Sequence, residues 1–406
     1  METPDLRVMP NGESRLPSLT GLRFVAAIIV VLAHSAGFLL FRTGAFQENI
    51  PALIFTGVLF SAANVAVSFF FVLSGFILTW VAQPGDTKRL FWRRRVVKVY
   101  PNHLVAFAIT TVLMLTAGIG LTFSNTVPSA LLIQSWIPIE KVSHVDGGNT
   151  PTWTLACEVL FYLLFPWLLL GLRKVRAEHL WRWAGGLVVA IVAIPAVAKV
   201  LPNQPRMQWD PVAFWEYWFV TQLPAVRLLE FALGIVMALI VMNGRWIGMR
   251  LRTAMPLLAV GIFIATFVPD EFDQSAVTAL PVALMIAACA AADVRGTRTG
   301  FGGRTMVWLG EISFAMYIIH FLVVSYGPMG TVYPSYMTRT WTVAEFFRDV
   351  TITIAVSIVL AWLMYTFVER PAMKHWARPK RRVHATTPAE APVSPAPATA
   401  VGARKG

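Results

Sequence analysis

The sequence predicts an all-α fold: a polytopic membrane helical bundle of about ten transmembrane helices, with both termini cytoplasmic. Three observations carry this. The 406 residues are 56% hydrophobic and only 14% charged, whereas an ordinary soluble domain is about a quarter charged. Apolar stretches recur at the ~20-residue length that a bilayer core demands of each helix. Basic residues also segregate by side: with a cytoplasmic N-terminus, the outside loops hold only Arg42, Lys141, Lys199, Arg206, Arg339 and Arg348 of the 34 Lys and Arg. That bias is the positive-inside pattern, so the net charge of +13 records topology and predicts no nucleic-acid partner.

Residues 1–18 are polar, hold Pro10, Asn11 and Gly12, and are read as a flexible cytoplasmic lead. One membrane domain is expected over 19–376, with spans at 19–41, 62–82, 102–122, 153–171, 183–201, 222–242, 254–270, 275–292, 306–327 and 347–367. The apolar run continues past Ala33-His34-Ser35, long enough to span, so cleavage of a signal peptide there is not expected. Between the third and fourth spans, the loop 123–152 carries Gln134, Ser135, Trp136, Asn149 and Thr150, a composition suited to a polar, uncharged ligand. Residues 377–406 are basic and then Ala/Pro-rich; such a tail buries too little surface to offset its ordering entropy and is expected to be a disordered cytoplasmic tail. Cys157 and Cys289 both lie in apolar helical sequence, which suggests neither a disulfide scaffold nor a metal site.

Ionisable side chains inside a bilayer are costly and therefore functional candidates. They are Arg23 and His34 in the first span, Glu158 in the fourth, Arg227 and Glu230 in the sixth, and His320 in the ninth. Arg23 and His34 are eleven residues apart, close to three helical turns, so they share a face with His34 ~16 Å further along the axis. An imidazole there suits a general base acting on a hydroxyl; the plainer alternative is a hydrogen-bonded buried histidine and a snorkelling arginine. Six cations crowd residues 88–98, in a loop read as Lys88-Arg89-Leu90-Phe91-Trp92-Arg93-Arg94-Arg95-Val96-Val97-Lys98 and closed by Tyr100-Pro101. Guanidinium forks there suit phosphates, and anionic lipid head groups are the competing partner. Glu158 could orient an imidazole or bind an acceptor hydroxyl. Arg227 and Glu230, three apart, read as an intrahelical pair.

These residues fall into an ordered set of motifs. Leu19-Thr20-Gly21-Leu22-Arg23-Phe24 leads to His34; Ser68-Phe69-Phe70-Phe71-Val72-Leu73-Ser74-Gly75-Phe76 follows, then the arginine-rich segment. Thr152-Trp153-Thr154-Leu155-Ala156-Cys157-Glu158, Ser313 to His320, and Glu369-Arg370-Pro371-Ala372 complete it. In that order the chain resembles the acyltransferase-3 family of integral membrane O-acyltransferases, in its stand-alone form without a fused esterase-like domain. The resemblance implies acyl transfer, usually acetyl, from cytoplasmic acyl-CoA as donor substrate, with no permanently bound cofactor and no metal. The other implied partners are the lipid bilayer and a hydroxyl-bearing acceptor such as a glycan or a glycosylated secondary metabolite. It implies His34 as the catalytic histidine with Arg23 and Glu158 beside it, and Arg93, Arg94, Arg95 and Lys98 as donor contacts. Lys98 stands where an arginine is usual and Thr154 where a serine is common; lysine keeps the charge but loses the bidentate fork. Trp153, Ser74, Tyr317 and His320 are substrate-binding candidates, although Ser74 and Gly75 also suit close helix packing. A transferase of this kind belongs in the cell membrane. The alternative function is a secondary transporter using His34, Glu158 and His320 as a proton relay, which leaves the dense arginine segment unexplained.

Overall fold

A computed structural model describes residues 16–40, 50–83, 85–143, 148–207, 212–330 and 341–377 of the chain. Its principal helices are α1 (Pro17–Leu40), α2 (Ile50–Val81), α3 (Lys88–Thr116), α4 (Trp153–Leu172), α5 (Leu180–Ala198) and α6 (Pro224–Met242). They continue as α7 (Leu251–Ala265), α8 (Ala279–Val294), α9 (Arg304–Tyr326), α10 (Val343–Met364) and the short α11 (Arg370–Trp376). Among the described residues there is no strand, and eight helices are long and apolar enough to cross a membrane. The expected lead before residue 16 and the expected tail beyond 377 lie outside the described residues. Residues 17 and 18 belong to α1 rather than to the lead.

The expected spans 254–270 and 275–292 correspond to α7, of 15 residues, and α8, of 16. At 1.5 Å per residue neither reaches the ~30 Å of a hydrocarbon core. Their surroundings differ. Helix α8 is buried on nearly every side, from Ala279 to Asp293, which suits a helix apolar all round. Helix α7 leaves Val260, Phe263 and Ile264 exposed, as a lipid-facing surface would.

Local chemistry sets several helix ends. Pro17 opens α1, where its missing N–H costs nothing, and the Asp293 carboxylate accepts from the Ser18 backbone N–H at 2.9 Å and from the Ser18 hydroxyl. Thr342 and Glu345 form a reciprocal capping box at the start of α10. Thr87 caps α3, accepting from the Leu90 N–H at 3.2 Å. This cap overturns one expectation. The cation-rich segment 88–98 is no loop but the first turns of α3, and Pro101, expected to follow it, lies inside the helix. Long basic side chains can flank a span by snorkelling, and membrane helices tolerate an interior proline when neighbours satisfy the freed backbone.

Glycines bring the inner helices into backbone contact. A Cβ on Gly75 of α2 would overlap the Phe231 carbonyl of α6, and one on Gly234 of α6 would overlap the Val72 carbonyl of α2. Gly310 of α9 meets the Thr20 carbonyl of α1 in the same way. Close approach through small residues is how membrane helices gain dispersion energy without a hydrophobic drive. It draws α1, α2, α6 and α9 around the interior where the charged residues lie.

Candidate active site

Arg23 of α1, Ser74 of α2, Arg95 and Lys98 of α3, Glu158 of α4 and Tyr317 of α9 line one cavity of ≈ 160 Å³. Helical phase decides which cations enter it. Arg95 and Lys98 are three apart and share a face, whereas Arg93 and Arg94 point elsewhere. Arg93 is exposed and donates from Nε to the Trp376 carbonyl at 2.6 Å, and Arg94 pairs with Asp86 at 3.0 Å. The four expected donor contacts are therefore two inside the cavity and two outside it. Arg95 stacks over the Phe91 and Tyr162 rings at 5.8 and 5.9 Å, and its buried Nε has no hydrogen-bond partner among the described residues. Lys98 pairs with the buried Glu369, whose other oxygen accepts from Asn102 Nδ2 at 2.7 Å. Glu369, from the last sequence motif, thus holds one wall cation.

Glu158 was expected to face an imidazole or an acceptor hydroxyl. It lines the cationic cavity and accepts from the Tyr162 hydroxyl at 2.9 Å. Tyr162 is a further residue of the site. Its signal was available, since it sits four residues after Glu158 on the same helix face. Ser74 lines the cavity while its neighbour Gly75 packs against α6, so the two roles weighed for this pair fall to different residues. Trp153, an expected substrate contact, does not line the cavity; its ring packs edge-on against Phe71 at 6.1 Å. Arg227 and Glu230 form the expected intrahelical pair at 3.1 Å, both buried, with the guanidinium over the Phe71 ring.

His34 does not line the cavity either. Its imidazole meets His320: Nδ1 of His34 and Nε2 of His320 are 3.0 Å apart, and His320 Nδ1 lies 2.7 Å from the Tyr317 carbonyl oxygen. These contacts fix the protons. A carbonyl only accepts, so His320 Nδ1 carries a hydrogen and, in the neutral ring, its Nε2 is a bare acceptor. His34 Nδ1 must then donate to it, which leaves His34 Nε2 as the acceptor nitrogen of that ring; the assignment comes from the hydrogen-bond network. The pair is joined to the cavity by Tyr317, whose ring lies 5.6 Å from that of His320 and whose hydroxyl accepts from Thr154 at 3.1 Å. Arranged this way, the pair holds one accepting imidazole nitrogen, and Tyr317 links it to the cationic chamber.

Comparison with known proteins settles what kind of protein carries this chamber. Residues 16–367 match the family described as an acyltransferase domain. The chain belongs to that acyltransferase family. Its relatives include Acyltransferase MdmB of Streptomyces mycarofaciens, 41% identical over 94% of this chain and 97% of that protein. A Bacillus subtilis (strain 168) protein, YrhL, provisionally named peptidoglycan O-acetyltransferase, is 24% identical over 88% of this chain and 54% of its own length. A Staphylococcus aureus (strain COL) protein provisionally named O-acetyltransferase is 22% identical over 88% of this chain and 57% of its own. The chain thus spans about half the length of the last two relatives. No solved structure matches it. This acyltransferase is a multi-pass membrane protein, and the matched region holds the cavity, the histidine pair and all three glycine contacts described above.

Proposed function

We propose that this acyltransferase moves an acyl group, acetyl in the simplest case, from cytoplasmic acyl-CoA to a hydroxyl of a glycan or glycosylated metabolite at the cell membrane. The observation that carries the reading is the histidine pair, which leaves His34 Nε2 as its accepting nitrogen and is linked through Tyr317 to a chamber walled by Arg23, Arg95 and Lys98. The names of the two longer relatives support O-acetylation as the chemistry. Coenzyme A is polyanionic and cannot enter hydrocarbon, so its nucleotide stays at the cytoplasmic mouth. A chamber of ≈ 160 Å³ accepts the narrow pantetheine arm and its thioester. The wall cations favour an anionic donor over a neutral one, and Ser74 and Tyr317 offer hydroxyls along the arm.

The acceptor hydroxyl gives its proton to His34 Nε2 as its oxygen attacks the thioester carbonyl. The tetrahedral intermediate collapses with cleavage of the C–S bond. The CoA thiolate leaves and takes the proton back from the His34 imidazolium, so ester and free CoA thiol are the products. During the step, positive charge on His34 spreads through Nδ1–H toward His320, which is held in the accepting tautomer by the Tyr317 carbonyl.

Purified protein supplied with radiolabelled acetyl-CoA and hydroxyl acceptors tests the reading. Transfer without any ion gradient, lost in His34→Ala while CoA binding and monodisperse elution persist, is the expected result. Full activity in His34→Ala refutes the base assignment. Strict dependence on a proton gradient, with no acyl ester formed, favours a transporter instead.

A further inference from the structure

A second, smaller cavity lies beyond the turn Thr150–Thr152, among residues of the third helix and of the stretches 121–143 and 148–152 that follow it. It measures ≈ 30 Å³, and among the described residues no Lys, Arg, Asp or Glu lines it. Three of its lining side chains, His103, Gln134 and Asn149, each keep a buried polar atom without a hydrogen-bond partner: Nδ1, Oε1 and Oδ1 respectively. All three atoms are acceptors. His103 Nε2 faces the Ser129 and Ala130 carbonyls at 3.1 and 3.2 Å, so Nε2 carries the hydrogen and Nδ1 is bare in the neutral ring. Thr152 donates to the Asn149 carbonyl at 2.7 Å and receives the Gln134 Nε2 at 3.3 Å, which fixes the Gln134 carboxamide. Asn149 Nδ2 donates to the Ile318 carbonyl at 2.8 Å, leaving Oδ1 as the orphan.

Buried acceptors left without donors cost roughly 1–3 kcal/mol each, so the cavity demands donor groups. A cation would enter with no carboxylate among the described lining residues to pair it, and an anion would face lone pairs, so a neutral donor fits best. Hydroxyl groups have that character. About 30 Å³ holds one hydroxyl or hydroxymethyl group, enough to seat an edge of a sugar-like molecule whose body stays outside. The partition between the two cavities is thin. Thr152 lines the small cavity and Thr154 the cationic one; the Pro151 carbonyl oxygen lies 2.9 Å from the Thr154 hydroxyl and accepts from the Tyr317 hydroxyl at 3.4 Å. Asn149 is anchored at Ile318, between Tyr317 and His320.

We infer that this uncharged cavity is the acceptor subsite, binding hydroxyls of a neutral sugar-like molecule from the outer side, while the cationic chamber serves the donor. The inference rests on the acyl-transfer reading for its purpose, but its binding arm is read without catalysis. Thr126, half-buried on the cavity wall, is replaced by cysteine in the full chain; the native Cys157 and Cys289 are buried and give little background. In intact cells, a membrane-impermeant maleimide should label Thr126→Cys, and methyl glycosides should slow that labelling. A phosphorylated sugar should not. Adding Gln134→Leu should abolish the protection, and Gln134→Met reads the same atom if the leucine variant does not elute as a folded protein. No labelling from outside, equal protection by the phosphorylated sugar, or protection that survives loss of Gln134 overturns the inference and leaves a water-filled void. In the kinetic arm, Gln134→Leu should raise the KM for a methyl glycoside about tenfold, the equivalent of one lost hydrogen bond, while acetyl-CoA affinity holds. An unchanged KM overturns the subsite. Failure of the wild-type protein to acetylate any glycoside overturns the donor reading instead, and the labelling arm still decides the pocket.

Discussion

At the scale of single residues, the proposed chemistry turns on which nitrogen of His34 accepts. His320 matters because it accepts from His34 Nδ1 while donating to the Tyr317 carbonyl. Replacing it with leucine removes the acceptor and frees the His34 ring to rotate or exchange tautomers. In His320→Leu, kcat should fall by roughly 10²–10⁴-fold, the usual worth of a positioned base, with KM for acyl-CoA little changed. His320→Gln can accept through its carboxamide oxygen and donate through its nitrogen, so it should retain more activity than the leucine variant. Equal losses in both would show that His320 only fills space. The pair was half legible in the sequence. His34 stood out by its place in a span, but 286 positions separate the two imidazoles, and no local pattern states that they touch.

At the scale of elements, helical phase sorts cations that look alike along the chain. Treating 88–98 as a loop made Arg93, Arg94 and Arg95 equivalent, whereas ~100° of rotation per residue sends them to three different surroundings. Arg95→Gln should therefore weaken acetyl-CoA binding strongly, and Arg93→Gln should leave it near the wild-type value; isothermal titration of the purified variants reads both. The loss in Arg95→Gln should also shrink as ionic strength rises. Helix contacts follow from the same geometry. Gly234→Val forces a branched side chain against the Val72 backbone and should cost about 1–3 kcal/mol, the range for overpacking, with loss of monodisperse protein on heating. Gly85, which meets nothing, should accept alanine without effect in that assay.

At the scale of the whole molecule, the charged interior is insulated and a separate ion cluster ties the periphery. Lys199, just after α5, donates to Glu216 at 2.9 Å and to Glu271 in the turn between α7 and α8. Hydrogen bonds to Glu271 and then Glu216 raise the Lys199 ammonium above its ordinary value. Burial pushes the Glu271 carboxyl up, but bonds from Lys199 outweigh it and bring the group below the usual carboxylate range. A depressed carboxyl stabilises the fold above its unfolded value of about 4.3 and loses that contribution as pH falls. A raised ammonium contributes below about 10.4 and is lost as pH rises. Thermal stability should thus be flat through neutral pH and fall on acidification below about pH 4. Lys199→Met should lower the midpoint at pH 7 and flatten the acid limb, measured by fluorescence-detected gel filtration of heated samples.

Composition, span length and charge bias determined by themselves that this is a helical membrane protein, because a bilayer tolerates few other backbones and penalises every misplaced charge. The motif order named the chemistry, and Arg23, His34 and Glu158 were marked by the cost of burying them. Only the tertiary structure decided that His34 is oriented by His320 rather than by Glu158, that two of four expected donor cations face the chamber, and that Trp153 packs on Phe71. These depend on helix phase and on which helices cross. Phase follows from where a cap starts the helix, and crossings from glycine contacts between segments far apart in the chain, neither of which a count of residues along one span contains.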